Sequence, residues 1–155
     1  MILHGNPILR APNEPIEIDP PEKDLDKLVK ALYDAMDERN ALGVAAPQIG
    51  VNKQMFVYNN QLTGDRGCFI NPIRTRVEGN QTASEGCLSV PGVQFKLGRY
   101  KYVEISGYDE HLNPRTVAFT GLTAQIIQHE LDHLDGKLII DYLSRADRRK
   151  LKLKG

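Results

Sequence analysis

The stretch Gln128-His129-Glu130-Leu131-Asp132-His133 decides how this 155-residue chain is read. It has the pattern His-Glu-x-x-His, set among Leu122, Ile126, Leu131 and Leu134 at helical spacing. On a helix, residues four apart share a face, so His129 and His133 can ligate one metal ion together. Glu130 lies beside the first ligand, where its carboxylate can serve as general base toward a metal-activated water. The apolar flanks predict a buried face, and buried histidines and carboxylates need partners, which a metal provides. Such a site takes a third protein ligand and keeps one position open.

Cys87 is the candidate third ligand. Gly86 beside it allows close backbone approach, and Glu85, Ser89 and Pro91 give it a polar, turn-like setting unlike a core strand. A thiolate donates more charge than imidazole, so the site suits ferrous iron as well as zinc. The other cysteine, Cys68, reads as a small buried apolar residue. Gln48, in the small-residue loop Gly43-Val44-Ala45-Ala46-Pro47-Gln48-Ile49-Gly50, carries an amide N–H suited to a developing oxyanion.

The rest of the chain is read outward from this helix. An arm over residues 1–20 holds turn signals and one helical turn. Asp19, Pro20 and Pro21 open an amphipathic helix at about 21–40, with Leu25, Leu28, Val29, Leu32 and Met36 on its apolar face. Gly43 to Gly50 is predicted as loop, too rich in Gly and Pro for helix or ordinary strand. Met55 to Tyr58 and Phe69 to Val77 read as strands, with Asn71-Pro72 forcing an edge or a bulge. Tyr100 to Tyr108 alternates as a strand, and a turn at Asp109 to Pro114 leads into Arg115 to Phe119. The metal helix starts near Thr120 or Gly121 and ends at Gly136. Lys137 to Tyr142 reads as a last extended segment. Ser144 and Asp147 then cap a basic tail helix carrying Arg145, Arg148, Arg149, Lys150, Lys152 and Lys154. The predicted fold is α+β, mostly antiparallel strands around a central metal-binding helix, in one domain over residues 1–155.

Composition bounds the function. Lys plus Arg equals Asp plus Glu at 20 each, which argues against a general nucleic-acid binder. No stretch approaches the roughly 18 apolar residues of a membrane span. Residues 1–10 do not read as a signal peptide, so a reducing, cytoplasmic setting is expected.

Three stretches together carry a resemblance. Gly43-Val44-Ala45-Ala46-Pro47-Gln48, Glu85-Gly86-Cys87-Leu88-Ser89 and Gln128-His129-Glu130-Leu131-Asp132-His133 resemble the three signature motifs of the peptide deformylase family, in order and at similar separations. Leu9-Arg10 and Arg99 extend the likeness over nearly the whole chain. The resemblance implies a hydrolase that removes the formyl group from formyl-methionine at the start of nascent polypeptides and releases formate. It implies Cys87, His129 and His133 as metal ligands, Glu130 as acid/base, and Gln48 with the Leu88 backbone N–H as oxyanion hole. Gly43, Val44, Gly86, Leu122, Gln125 and Ile126 are then expected to line the substrate cleft, with the peptide pairing in extended form. The ion implied is Fe2+, with Zn2+, Ni2+ or Co2+ as substitutes, and the protein is expected to be a monomer.

The chain departs from the family pattern in three places. Val44 stands where leucine is commoner. Gln125 stands where the family offers an apolar wall to the methionine side chain. It is expected either to turn outward or to make that pocket partly polar. The C-terminal tail is shorter than in many bacterial members, and its basic helix either contacts the ribosome or is a solvated face.

Two other classes of function compete. A His-Glu-x-x-His metalloprotease would take a downstream His or Glu as third ligand, and none follows His133. A closed structural metal site would need a fourth ligand, for which His4, His111 and Cys68 are the remaining His and Cys side chains.

Overall fold

The computed structural model describes residues 1–152, so Lys154 of the basic tail lies outside the described residues. A five-stranded antiparallel sheet is ordered β1-β2-β3-β6-β7, from Gly43–Ala45, Met55–Asn60, Asp65–Glu78, Tyr102–Tyr108 and Pro114–Thr120. A separate two-stranded hairpin joins β4 (Gln81–Cys87) to β5 (Val90–Arg99). Three α-helices complete the fold: α1 (Leu25–Glu38), α2 (Gly121–Leu134) and α3 (Arg145–Lys150). This is the α+β architecture predicted.

The sheet is covered on both faces, and alternation along β2 shows how. Successive side chains of a strand point to opposite faces. Met55 and Val57 pack with Leu32 and Met36 of α1. Phe56 and Tyr58 pack with Ala124, Ile126 and Ile127 of α2. Cys68 and Ile70 of β3 join the α1 side and Phe69 the α2 side, and Cys68 is buried as predicted. A third cluster, around Leu9, Val90, Leu97, Leu138 and Ile140, ties the N-terminal arm and the C-terminal segment to the hairpin. Helix α2 therefore lies between sheet and hairpin, bonded to the hairpin through Gln125 Nε2 to Ser84 O (3.1 Å) and His129 Nδ1 to Glu85 Oε1 (2.9 Å).

Several local readings hold. Thr120 is the N-cap of α2, and Gly136 adopts φ 72 just past its end, where a Cβ would meet the Arg10 carbonyl oxygen at 3.1 Å. Ser144 caps α3 by accepting from the Asp147 N–H at 3.1 Å. Asn71 sits at φ 52, in the register shift between Ile70 and Ile73 where β3 changes from β2 to β6 as its partner. Its carboxamide both accepts from Ile16 N–H and donates to Ile16 O, each at 2.8 Å, so the bulge clamps the N-terminal arm.

Others are corrected. Helix α1 begins at Leu25, through Asp24 in left-handed backbone, and not at residue 21. The preceding residues form a turn closed by Glu22 N–H to Glu17 O (3.0 Å), and Lys53 holds the Glu22 carboxylate at 3.1 Å. Gly43 to Gly50 is not a loop. Gly43–Ala45 pairs with Phe56–Tyr58 as strand β1, and Ala46–Ile49 is a 3-10 turn. Its small side chains pack directly under the core, with Val44, Ala45 and Ala46 fully buried. Lys137 to Tyr142 ends in a 3-10 turn, Ile139–Tyr142, in place of an extended segment, because Asp141 accepts from the Leu138 N–H and closes it.

Candidate active site

A cavity of about 730 Å³ opens between three walls: the segment Arg39–Gly43 leading into β1, one face of α2, and the β4–β5 hairpin with its turn at Leu88-Ser89. Helical spacing places His129 and His133 one turn apart, with ring centroids 5.0 Å from each other. The hairpin brings Cys87 over them, its Sγ 3.4 Å from His133 Nε2. Ligand atoms of Cys87, His129 and His133 all lie within 4.8 Å of one another, and among the described residues they are the one such group of three. His111 and Cys68 are not part of it, so no fourth ligand from among the described residues closes the site.

The orientation of His129 has a visible cause. His129 Nδ1 faces Glu85 Oε1, which leaves Nε2 for the site. Glu85 is clamped in turn by Arg99, whose Nε and Nη2 donate to its two oxygens at 2.7 Å each. Arg99 Nη1 reaches Asp132 Oδ2 at 2.7 Å, and Tyr142 Oη donates to the same oxygen at 2.6 Å. Burial alone would raise the Glu85 pKa, but Arg99 and His129 hold it below the ordinary carboxylate value. Burial would lower the His129 pKa, but Cys87 and Glu85 raise it well above the usual imidazole value. His133 has no carboxylate partner; burial, then His129, press it well below that value, so its ring is a neutral donor suited to a metal.

Glu130 is 2% exposed, and burial pushes its pKa up to about 7. A carboxyl poised there can take and return a proton near neutral pH. Its Oε2 and the His133 Nδ1 are buried without a hydrogen-bond partner among the described residues. An orphaned carboxylate oxygen next to a thiolate-imidazole group fits a site that holds a cation and a water. Gly43 makes room for it: a Cβ there would sit 2.8 Å from Glu130 Oε1. Gln48 is buried too. The Ala45 N–H donates to its Oε1 at 3.0 Å, which turns its Nε2 toward Ser89 Oγ (3.2 Å) and Cys87 Sγ (3.7 Å).

Of the residues predicted to line the cleft, Gly43, Gly86, Gln125 and Ile126 do so, and Gln48 and Leu88, expected as the oxyanion hole, lie on the same wall surface. Val44 and Leu122 do not. Val44 packs into the α1 side of the sheet and Leu122 against the α2 side, each drawn there by strand or helix periodicity. Gln125 lines the cavity and bonds to Ser84 O, so it is a polar group on the cleft wall and not an outward one. Sequence reasoning gave no role to Asp132, Tyr142 or the Ser89 hydroxyl. The signal for Asp132 was its position three residues beyond His129, on the buried side of the helix, where a carboxylate requires a cation.

A thiolate and two imidazoles able to share one cation, with a buried carboxylate and an amide donor beside them, define the site of a metal-dependent hydrolase. The sequence profile described as Polypeptide deformylase matches residues 1–149. A peptide deformylase of Mycolicibacterium smegmatis is 38% identical over 169 residues, covering 97% of this chain and 86% of that protein. One from Acidothermus cellulolyticus is 40% identical over 153 residues, covering 98% and 82%. Among solved structures, a peptide deformylase from Legionella pneumophila superposes with TM-score 0.90 at 31% identity, covering 98% of this chain and 89% of that one. One from Synechococcus elongatus, in complex with actinonin, gives 0.87 at 34% identity, covering 97% and 81%. The chain belongs to the polypeptide deformylase family.

Proposed function

We propose that this chain is a single catalytic domain that hydrolyses the N-formyl group of nascent polypeptides, with Glu130 as proton carrier and Gln48 and Leu88 as oxyanion donors. The observation that carries the proposal is the meeting, in one cavity, of Cys87, His129 and His133 with the partnerless Glu130 carboxylate and the oriented Gln48 amide. An ion bound by the three ligands supplies Lewis acidity, acidifying a water molecule and polarising the formyl oxygen. Glu130 Oε2 accepts the proton of the attacking water. Gln48 Nε2 and the Leu88 backbone N–H donate to the formyl oxygen as its charge develops. Glu130 then returns the proton to the leaving amine, and formate and a free N-terminus result. Gly43 and Gly86, on opposite walls, let the peptide backbone approach in extended form.

The ion we propose is Fe2+, with Zn2+, Ni2+ or Co2+ as substitutes, because one thiolate among three ligands softens the site toward iron. We further propose a cytoplasmic monomer. No helix of the described residues is long and apolar enough to cross a membrane. Arg145, Arg149 and Lys150 of α3 offer a basic surface suited to ribosomal RNA, while Arg148 of the same helix is paired with Asp141.

The test is formate release from a formyl-Met-Ala peptide by anaerobically purified protein and by Glu130→Gln, with metal content assayed on both. The variant keeps its metal and loses turnover by about 10²-fold or more. A metallated wild type inactive on several formyl peptides would overturn the reading. Reloading with Fe2+ or Zn2+ after chelation tests the ion, and the iron form is expected to be the faster.

A further inference from the structure

The geometry points to Arg39 as a specificity residue that favours an acidic side chain at the second or third position of the formylated peptide. This rests on the deformylase reading above. The cavity does not end at the metal-binding group but continues past Gly43 along Leu42, Ala41, Asn40 and Arg39. Strand β1 is an edge strand. A peptide laid along its open edge, with the formyl group beside Glu130 and Gln48, has two directions in which to leave. One follows Val44, Ala45 and Ala46, which are fully buried. The other follows Leu42 back to Arg39, along the cavity wall, and is open. Each extended residue advances about 3.3 Å, so the second and third side chains come abreast of the segment that ends at Arg39.

Charge along that path is one-sided. Among the described residues, the charged or titratable groups of the cavity wall are Arg39, Glu85, Cys87, His129 and Glu130, and Cys87 belongs to the metal-binding group at the catalytic end. Glu85 is neutralised by Arg99, and it, His129 and Glu130 sit together at the catalytic end. The outer part otherwise presents uncharged polar groups, namely Asn40, Ser84, Gln94 and Gln125. The Arg39 guanidinium is held in place by Nη1 donating to Ala35 O at 3.2 Å, which leaves its other donors for a ligand. Among the described residues, the one carboxylate within 4.0 Å of it is that of Glu38, 3.8 Å away and 73% exposed, a contact too weak to quench the charge. A substrate carboxylate arriving here meets a positioned cation, and a substrate lysine meets repulsion.

The experiment uses metal-loaded protein and C-terminally amidated formyl-Met-X-Y peptides, so that no terminal carboxylate competes. X or Y is Glu, Gln or Lys. At one of the two positions, wild type is expected to favour Glu over Lys by about three- to fivefold in kcat/KM at low salt. The ratio should shrink toward unity at about 0.5 M salt. Arg39→Gln should erase the ratio and Arg39→Glu should invert it, with thermal melts confirming that both variants fold. Wild type that treats Glu and Lys alike at both positions, or Arg39→Glu that keeps the wild-type ratio, overturns the proposal. Formate release from neutral formyl-Met-Ala-Ala amide by wild type reports the deformylase reading separately. Calorimetric affinities for the deformylated Met-Ala-Glu and Met-Glu-Ala amides against their Lys counterparts report charge selection independently of turnover.

Discussion

At the scale of single residues, the site depends on space as much as on chemistry. Glu130 can stand against β1 because Gly43 has no side chain. Gly43→Ala drives a methyl group into the carboxylate, and a displacement of that size in the proposed proton carrier should cost rate more than binding. We expect kcat to fall about 10- to 100-fold with metal content unchanged, as read by steady-state kinetics beside metal analysis. Unchanged kcat would mean that the Glu130 position is not critical. The motif at 128–133 announced His129, Glu130 and His133 because ligand spacing on a helix is a local property. The need for Gly43 is not local: it arises where two elements distant in sequence touch.

At the scale of elements, the hairpin and the helix are joined by a charged line from His129 through Glu85 and Arg99 to Asp132 and Tyr142. Its members come from β4, β5, α2 and the 3-10 turn after α2, so it fixes Cys87 over the two histidines as well as orienting His129. Tyr142→Phe removes a donor to Asp132 and an acceptor for Arg99. The expected result is up to about tenfold weaker metal binding in a chelator competition, with a larger loss for Asp132→Asn. Equal affinities for wild type and both variants would confine this line to a structural role. Helix α2 was legible from end to end, since its cap, apolar stripe and terminal glycine agree. Strand β1 and the β4–β5 hairpin were not. Both are rich in glycine and small residues, and their strand character comes from partners, Phe56–Tyr58 in one case and each other in the second. The sandwiching of the sheet was hidden for a related reason: β2 is apolar on both faces, so it shows no alternation to read.

At the scale of the whole molecule, the two ends of the chain are tied together at Asp141. Arg10 Nη1 and Nη2 donate to its two oxygens at 2.5 and 2.9 Å, Arg148 Nη2 donates at 3.1 Å, and the Leu138 N–H adds a fourth bond. Burial would raise the Asp141 pKa, but Arg10 outweighs it and holds the group below the ordinary carboxylate value. A carboxylate depressed on folding stabilises the protein above its unfolded pKa, and that contribution is lost as pH falls through the folded pKa. Asp141→Asn should therefore lower stability by about 1–2 kcal/mol at pH 7. The gap between variant and wild type should close as pH falls through the folded-state pKa, below the ordinary carboxylate value, as followed by thermal melts across pH. A gap that stays constant into acid would show that charge on Asp141 contributes nothing.

The sheet has two edges, β1 and β7, and they are unlike. Strand β7 begins at Pro114 and carries Arg115 and Thr116, a composition that discourages pairing. Strand β1 is only three residues long, Gly43–Ala45; Gly43 lines the cleft, and Val44 and Ala45 are fully buried. An edge that short and that enclosed admits the first residues of one extended chain and cannot serve as a template for another folded copy. The protein can thus work among unfolded, newly made polypeptides, whose exposed strands seek partners, without itself seeding their aggregation.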